Sequence, residues 1–354
     1  MKNILVTGGA GFVGSHLAIG FKAAYPDARV VALDNLKRRG SELILPRLRD
    51  GGVEFLHGDI RQPDDIEATG EADLLLECSA EPSVLAGYGG SPRYVIDTNL
   101  SGTINCLEYA RTRGAAVMFL STSRVYPMET IAGLRLKETD TRFEIEDAQE
   151  VAGVSAAGIA EDFPLAGTRS LYGATKLCSE HLMAEYLAMY GMRGVINRCG
   201  VITGPWQMGK ADQGVVVLWA ARHHYGGALK YIGYGGTGKQ ARDILHIDDL
   251  LALLLTQVED LDTHTGEIYN AGGGREVSVS LRELTGLCEA ATGKKIEIAG
   301  EPETRTADIP IYLTDNAKVS AATGWTPQRT PETIMEDIVR WIRDHEDALR
   351  PVLT

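Results

Sequence analysis

Tyr172 and Lys176 stand four residues apart in YGATK, and Thr122 closes the apolar segment FLST. On a helix that spacing puts the phenol and the ammonium on one face. Tyrosine is a poor base at its ordinary pKa of about 10, but a neighbouring ammonium stabilises the phenolate. Such a set can remove the proton of an alcohol, with Thr122 orienting the hydroxyl, while a cofactor takes the hydride. A second cluster points to that cofactor. Gly8, Gly11 and Gly14 punctuate TGGAGFVG directly after an apolar run, and Asp34 ends the next apolar run, 20 residues beyond Gly14. Glycines allow a tight turn and close backbone approach to a pyrophosphate, and a following helix N-terminus presents amide donors. An acid at this distance suits the adenosine ribose hydroxyls and disfavours a 2'-phosphate. NAD is therefore expected over NADP, despite Lys37, Arg38 and Arg39.

These residues need elements to hold them. Ile4 to Thr7 read as a strand, Gly8 to Gly14 as a turn, Ser15 to Tyr25 as a helix and Arg29 to Leu33 as the next strand. Further strands are expected at Val53 to Leu56, Asp73 to Cys78, Val117 to Ser121 and Gly194 to Asn197, with helices near 95–113 and 173–190. Such alternation predicts an α/β fold: a Rossmann-like, doubly wound, mainly parallel sheet, with a smaller C-terminal α/β substrate lobe. The expected division is an NAD-binding domain over 1–204, completed by 241–264, and a nucleotide-sugar-binding lobe from 205–240 and 265–350.

Composition narrows the partners. Of 354 residues, 48 are acidic and 35 basic, a net charge of -13, which disfavours nucleic acid and anionic membranes. Cys78, Cys106, Cys178, Cys199 and Cys288 are scattered, without CxxC or CxxH spacing, so a reducing compartment is expected and neither a disulfide framework nor a zinc site. The N-terminus lacks a signal-peptide pattern, and no long apolar run predicts a membrane helix. His223 and His224 read as packing or surface residues, and no HxH set predicts a catalytic metal.

TGGAGFVG, Asp34, GDIR, DTNLSGTINCLEYA, STSRVY and YGATK occur in an order that resembles the extended short-chain dehydrogenase/reductase family of nucleotide-sugar epimerases and dehydratases, over almost the whole chain. The resemblance implies NAD held by Gly8, Gly11, Phe12, Val13 and Gly14 in the turn, and by Asp34 and Asn35 after the second strand. Asp59, Ile60, Asn99, Tyr172 and Lys176 complete the implied cofactor set, although Asp59 also reads as a solvated loop acid. It further implies a cofactor used reversibly and a homodimer built on the helices near 95–113 and 173–190; a cytoplasmic location is expected from the cysteine usage.

Within that family, 4,6-dehydratases carry an Asp-Glu pair at the positions of Ser123 and Arg124, just before Tyr126. Arginine cannot take over the proton roles of a carboxyl group, so dehydration is not expected. A basic residue here resembles the CDP-paratose 2-epimerase group, also called CDP-tyvelose epimerases. LDNLKRRGS, LKETDTR, DQG at Asp212 to Gly214 and GTGKQARDILHIDDL match that group, whereas CGVITGP and SAEPSV depart from it. A CDP-sugar is the implied substrate, inverted at C2 through a 2-keto intermediate. A 4-epimerase acting on a UDP-sugar or another nucleotide-sugar is the alternative, and a silent NAD or nucleotide-sugar sensor a further one. Ser123, Arg124, Trp206, Gln207, Arg242 and Arg305 are the expected substrate contacts, the last two resembling phosphate-binding arginines but also readable as domain-packing ion pairs; Tyr231 and Tyr234 are aromatic candidates, each of these aromatics also readable as simple packing. His246, Asp248 and Asp249 resemble a cofactor-domain segment without a direct chemical role. The acidic 45-residue stretch between Tyr126 and Tyr172, which holds Arg142, reads either as a cover for the sugar or as a solvent-exposed elaboration.

Overall fold

The computed structural model describes residues 1–209 and 213–354 and divides the chain into two compact units. The first comprises Met1–Val125, Leu171–Arg198 and Leu251–Tyr269. Its sheet is built from β1 (Asn3–Thr7), β2 (Arg29–Asp34), β3 (Glu54–His57), β4 (Leu74–Glu77), β5 (Ala116–Thr122), β6 (Gly194–Cys199) and β7 (Ile268–Ala271). Across the sheet they run β7-β6-β5-β4-β1-β2-β3, and the pairs β3/β2, β2/β1, β1/β4 and β4/β5 are parallel. The strand order reverses between β1 and β4, the place where open α/β sheets bind ligands outside their carboxyl ends. β1, β4 and β5 are buried almost throughout, as continuous apolar runs covered on both faces demand. Leu5, Val31, Leu33, Leu75, Val117, Phe119 and Ile196 form this core with Cys106, Leu107 and Met183.

Helix α1 (Phe12–Ala24) follows the glycine turn, and α2 (Gly102–Arg113) and α3 (Leu171–Tyr190) carry the other expected helical intervals. The observed strands lie within a few residues of those expected from hydrophobic patterning. A buried ion pair anchors α3. Arg198 of β6 donates from Nη2 to Glu180 Oε2 at 2.7 Å and from Nε to both carboxylate oxygens at 3.1 Å, and Ser121 of β5 donates to the same carboxylate. The Arg198 and Glu180 side chains are 3% and 2% exposed. Removing one partner strands a charge in the interior, so Glu180→Ala is expected to cost about 3–5 kcal/mol, read from the urea midpoint.

The second unit comprises Tyr126–Ser170, Cys199–Leu250 and Asn270–Thr354. Its central sheet is the smaller: Ala241–His246 pairs with Val201–Thr203, Ser278–Ser280 and Ile311–Tyr312. Helices Val215–Tyr225, Leu281–Thr292 and Pro331–Asp344 pack together beside it, the second closed by a Ser280/Glu283 capping box. The division differs from the one expected. Residues 241–250 belong here because Ala241–His246 is the hub of this sheet, and 126–170 belong here because their short hairpins are tied to it.

The fastening of 126–170 is specific. Ile159 N–H donates to Leu313 O at 2.8 Å, Asn270 Nδ2 donates to Ile159 O at 2.9 Å, and Tyr126 Oη donates to Asn270 Oδ1 at 2.7 Å. Arg142 donates from Nη2 to Ser278 Oγ at 2.6 Å and pairs with Glu144 at 3.2 Å. Arg142 is thus committed to fastening this stretch.

Asp243, on the hub strand, is fully buried against Gly200 and Gly272, whose lack of side chains makes room for it, and accepts the Gly274 N–H at 3.4 Å. Burial pushes its pKa up from 3.8 to about 6. The folded state therefore holds a proton that the unfolded state releases, and stability falls as pH rises from about 4 to about 6. The shift of about 2 units corresponds to about 3 kcal/mol. Asp243→Asn is expected to raise stability at pH 7.5 and to leave it nearly unchanged at pH 4, as urea melts at the two pH values would show.

Candidate active site

The glycine turn has the shape its sequence predicts. Gly8 takes φ +63°, and its carbonyl accepts the Gly11 N–H at 2.9 Å. A Cβ at Gly14 would lie 2.2 Å from Gly8 O, one at Gly11 3.0 Å from it, and one at Gly9 2.5 Å from the Ala32 side chain. Gly11 is the N-cap of α1 and, among the described residues, no side chain caps this end. The first-turn amides of Phe12 and Val13 therefore lack intrahelical acceptors and suit a phosphate. Asp34, at the end of β2, accepts N–H bonds from Ala10 at 3.1 Å and Leu36 at 2.7 Å, while burial raises its pKa. These contacts lock the carboxylate beside the turn.

Asn35 donates to Asp59 at 2.9 Å, and Arg61 donates to Asp59 from Nη2 at 2.6 Å. Burial works against the Asp59 carboxylate, but the bonds from Arg61 and Asn35 win and hold its pKa at about 2. Asp59 is therefore a paired loop acid at neutral pH. Ile60 packs on Gly102 at the start of α2, where a Cβ would come within 2.5 Å of its Cδ1. Together these residues fit a dinucleotide: a cradle without side chains, free helix amides and an acid at the neighbouring strand end.

Asn99 is fully buried in a π-helical turn, Asp97–Ser101, that widens the entry to α2. Its Oδ1 accepts Glu81 N–H at 2.7 Å, and its Nδ2 donates to Thr175 Oγ1 at 3.2 Å. Asn99 thereby ties the loop after β4 to α3, consistent with π-bulges marking functional sites. On α3, Tyr172 is half-exposed in the first turn and Lys176 is buried one turn later. Lys176 Nζ sits 3.4 Å from Glu77 Oε2 and 4.4 Å from the centre of the Phe119 ring. Thr122 ends β5, three residues beyond Phe119, and its Oγ1 accepts the Arg124 N–H at 3.2 Å. Ser123 is buried and Arg124 half-buried in the short turn that follows. The first unit thus holds the glycine turn, Asp34 and Thr122 at the carboxyl ends of its strands, with Lys176 against the end of β4 and Tyr172 one turn before it on α3. Sequence reasoning missed Glu77, although an acid closing the apolar run LLLE was its signal.

The remaining expected contacts belong to the second unit. Arg242 is spoken for: it donates to Asp308 at 3.0 Å and to Ile309 O at 2.6 Å. Gln207 donates to Ile202 O at 3.0 Å and accepts from Thr203, and the Trp206 ring packs against Trp341 and His345. Arg305 is exposed. Tyr231 bonds Thr285 at 2.7 Å and the Tyr234 ring meets Phe143. His223 Nδ1 bonds Trp219 O at 2.8 Å, His246 accepts the Asp248 N–H, and Asp249 pairs with Arg329 at 2.6 Å, all packing roles. Within the DQG motif, Asp212 lies outside the described residues.

The sheet, the glycine turn at its switch point and the Tyr172/Lys176 helix define a Rossmann-like α/β protein with a dinucleotide cradle. The chain belongs to the NAD dependent epimerase/dehydratase family, whose pattern matches residues 4–272. It is 28% identical over 345 residues to the CDP-paratose 2-epimerase of Salmonella typhi, covering 96% of this chain and 98% of that protein. It is 29% identical over 359 residues to dTDP-glucose 4,6-dehydratase 1 of Escherichia coli K12, covering 96% and 92%. Among solved structures, the Thermus thermophilus UDP-glucose 4-epimerase in complex with NAD is similar at a TM-score of 0.77 and 26% identity, covering 97% of this chain and 99% of that one. Epimerases and a dehydratase thus stand at nearly equal similarity. Among the described residues, no helix is long and apolar enough to cross a membrane.

Proposed function

We propose that this chain is an NAD-dependent nucleotide-sugar epimerase that inverts C2 of a CDP-hexose or CDP-dideoxyhexose through a transient 2-keto sugar. The observation that carries the epimerase reading is the turn after β5, where Ser123 and Arg124 stand in place of a carboxyl pair. Without acids there, water loss from the sugar has no proton donor or acceptor at that position. The C2 position and the CDP moiety rest on the resemblance of Arg124 and the flanking motifs to the 2-epimerase group, supported by similarity to the Salmonella enzyme. A homodimer is proposed on the same family grounds.

NAD, when bound, supplies a reversible hydride acceptor. Gly8, Gly11 and the amides of Phe12 and Val13 bind its pyrophosphate, and Asp34 holds the adenosine ribose. Tyr172 acts as a phenolate, which the Lys176 ammonium stabilises, and takes the proton of the C2 hydroxyl to become the neutral phenol, while Thr122 orients that hydroxyl. Tyr172 returns the proton after the keto sugar has presented its other face. Arg124 is the substrate-side cation of the first unit, and the exposed Arg305 is the stronger diphosphate candidate of the two arginines singled out, since Arg242 is engaged by Asp308. Incubation with CDP-, UDP-, GDP- and dTDP-sugars, read by proton NMR at each ring carbon, tests the proposal. Inversion at C2 with CDP-sugars preferred is expected; inversion confined to C4 removes the C2 assignment and leaves the proton-transfer set intact.

A further inference from the structure

Glu77 is a buried acid that the reaction as described does not use. Strand register explains its place: Glu77 is the last residue of β4, level with Thr7 of β1 on one side and Phe119 of β5 on the other. Lys176 arrives at the same point from α3, with Nζ 3.4 Å from Glu77 Oε2. The Lys176 and Glu77 side chains are 2% and 1% exposed, and Glu77 Oε1 has no hydrogen-bond partner among the described residues. A carboxylate with an unfilled oxygen, sealed from water, is costly and is kept only against a charge it can neutralise. Lys176 is that charge.

We propose that Glu77 is a positioning residue that fixes the Lys176 ammonium over β4 and β5 and shares its field with Tyr172. The inference rests on the reading of Tyr172 as the base. An ammonium paired with Glu77 stabilises the phenolate less than a bare one. Burial drives the Glu77 carboxyl up from its ordinary pKa, while Lys176 and the Ser79 N–H pull it back down. Other groups packed here contribute little net charge. The Cys106 thiol of α2 is pushed well above its ordinary value by burial and by Glu77, so it is neutral. Glu180, one turn along α3, is neutralised by Arg198 of β6. Thr7 and Thr175 are uncharged. Lys176 and Glu77 are thus a charged pair buried together at this point of the fold.

The test is a titration of the Tyr172 phenol in NAD-loaded protein, followed by tyrosinate absorbance as the difference from Tyr172→Phe, which needs no turnover. Glu77→Gln is expected to lower the midpoint by about one pH unit, to carry the acid limb of kcat/KM down with it, and to leave the midpoint of Glu77→Asp near that of the parent. An unmoved or raised midpoint in Glu77→Gln overturns the proposal. Should that variant fail to fold, carboxyl carbon NMR of the parent protein decides: Glu77 must be ionised where Tyr172 titrates, and a protonated Glu77 there overturns it. Turnover retained by Tyr172→Phe would instead overturn the functional reading, while the phenol titration still reports on Glu77.

Discussion

Tyr172→Phe is expected to lower turnover by roughly 10²- to 10⁴-fold, the range lost when a positioned proton-transfer group is removed. The substitution deletes one oxygen on the half-exposed first turn of α3 and leaves its packing in place. Bound NAD should be retained, because the glycine turn and Asp34 lie on other elements. The loss should fall on kcat and kcat/KM alike, since the hydroxyl matters when the proton moves and not when the sugar binds. Steady-state kinetics with a measurement of bound NAD checks both. Near-normal turnover with NAD bound would remove Tyr172 from the reaction.

Gly14→Val is expected to abolish cofactor binding, weakening NAD by at least about 100-fold, because the turn and the helix amides behind it are what receive the pyrophosphate. A Cβ at position 14 would sit 2.2 Å from Gly8 O and 2.7 Å from the Gly8 carbonyl carbon, so the turn must open. Opening it displaces the α1 amides and the Ala10 N–H that holds Asp34. Far-UV circular dichroism separates a lost cradle from a lost fold: helix content should persist while the NAD titration becomes flat. Undiminished NAD affinity in a folded variant would contradict the assigned cradle.

What could be read from residue order was what local spacing determines. The glycine turn, Asp34 at the end of β2 and the four-residue interval between Tyr172 and Lys176 are each set within one strand, turn or helix, so their geometry follows from chain-local rules. Residues whose partners come from distant segments were not legible. Glu77 meets Lys176 across 99 positions of sequence, and Glu180 meets Arg198 across a helix and a strand. The apolar run before Glu77 does not name what neutralises it, and Glu180, flanked by Ser179 and His181, carries no local sign of burial. Arg242 shows the same limit in reverse. Its motif suggested a phosphate, whereas Asp308, 66 residues away, takes its guanidinium. The assignment of 241–250 failed for a related reason: strand propensity was clear, but only the pairing with Val201–Thr203, Ser278–Ser280 and Ile311–Tyr312 decides which sheet the strand joins.

The most direct measurement is proton NMR of a CDP-sugar turned over by the NAD-loaded protein in deuterated water. Inversion with the same hydride taken and returned predicts a product whose C2 is inverted and carries its original hydrogen, with the nucleotide and all hydroxyls retained. Loss of water with deuterium entering C5, as elimination next to a 4-ketone requires, would contradict the epimerase account and place the chain among the dehydratases.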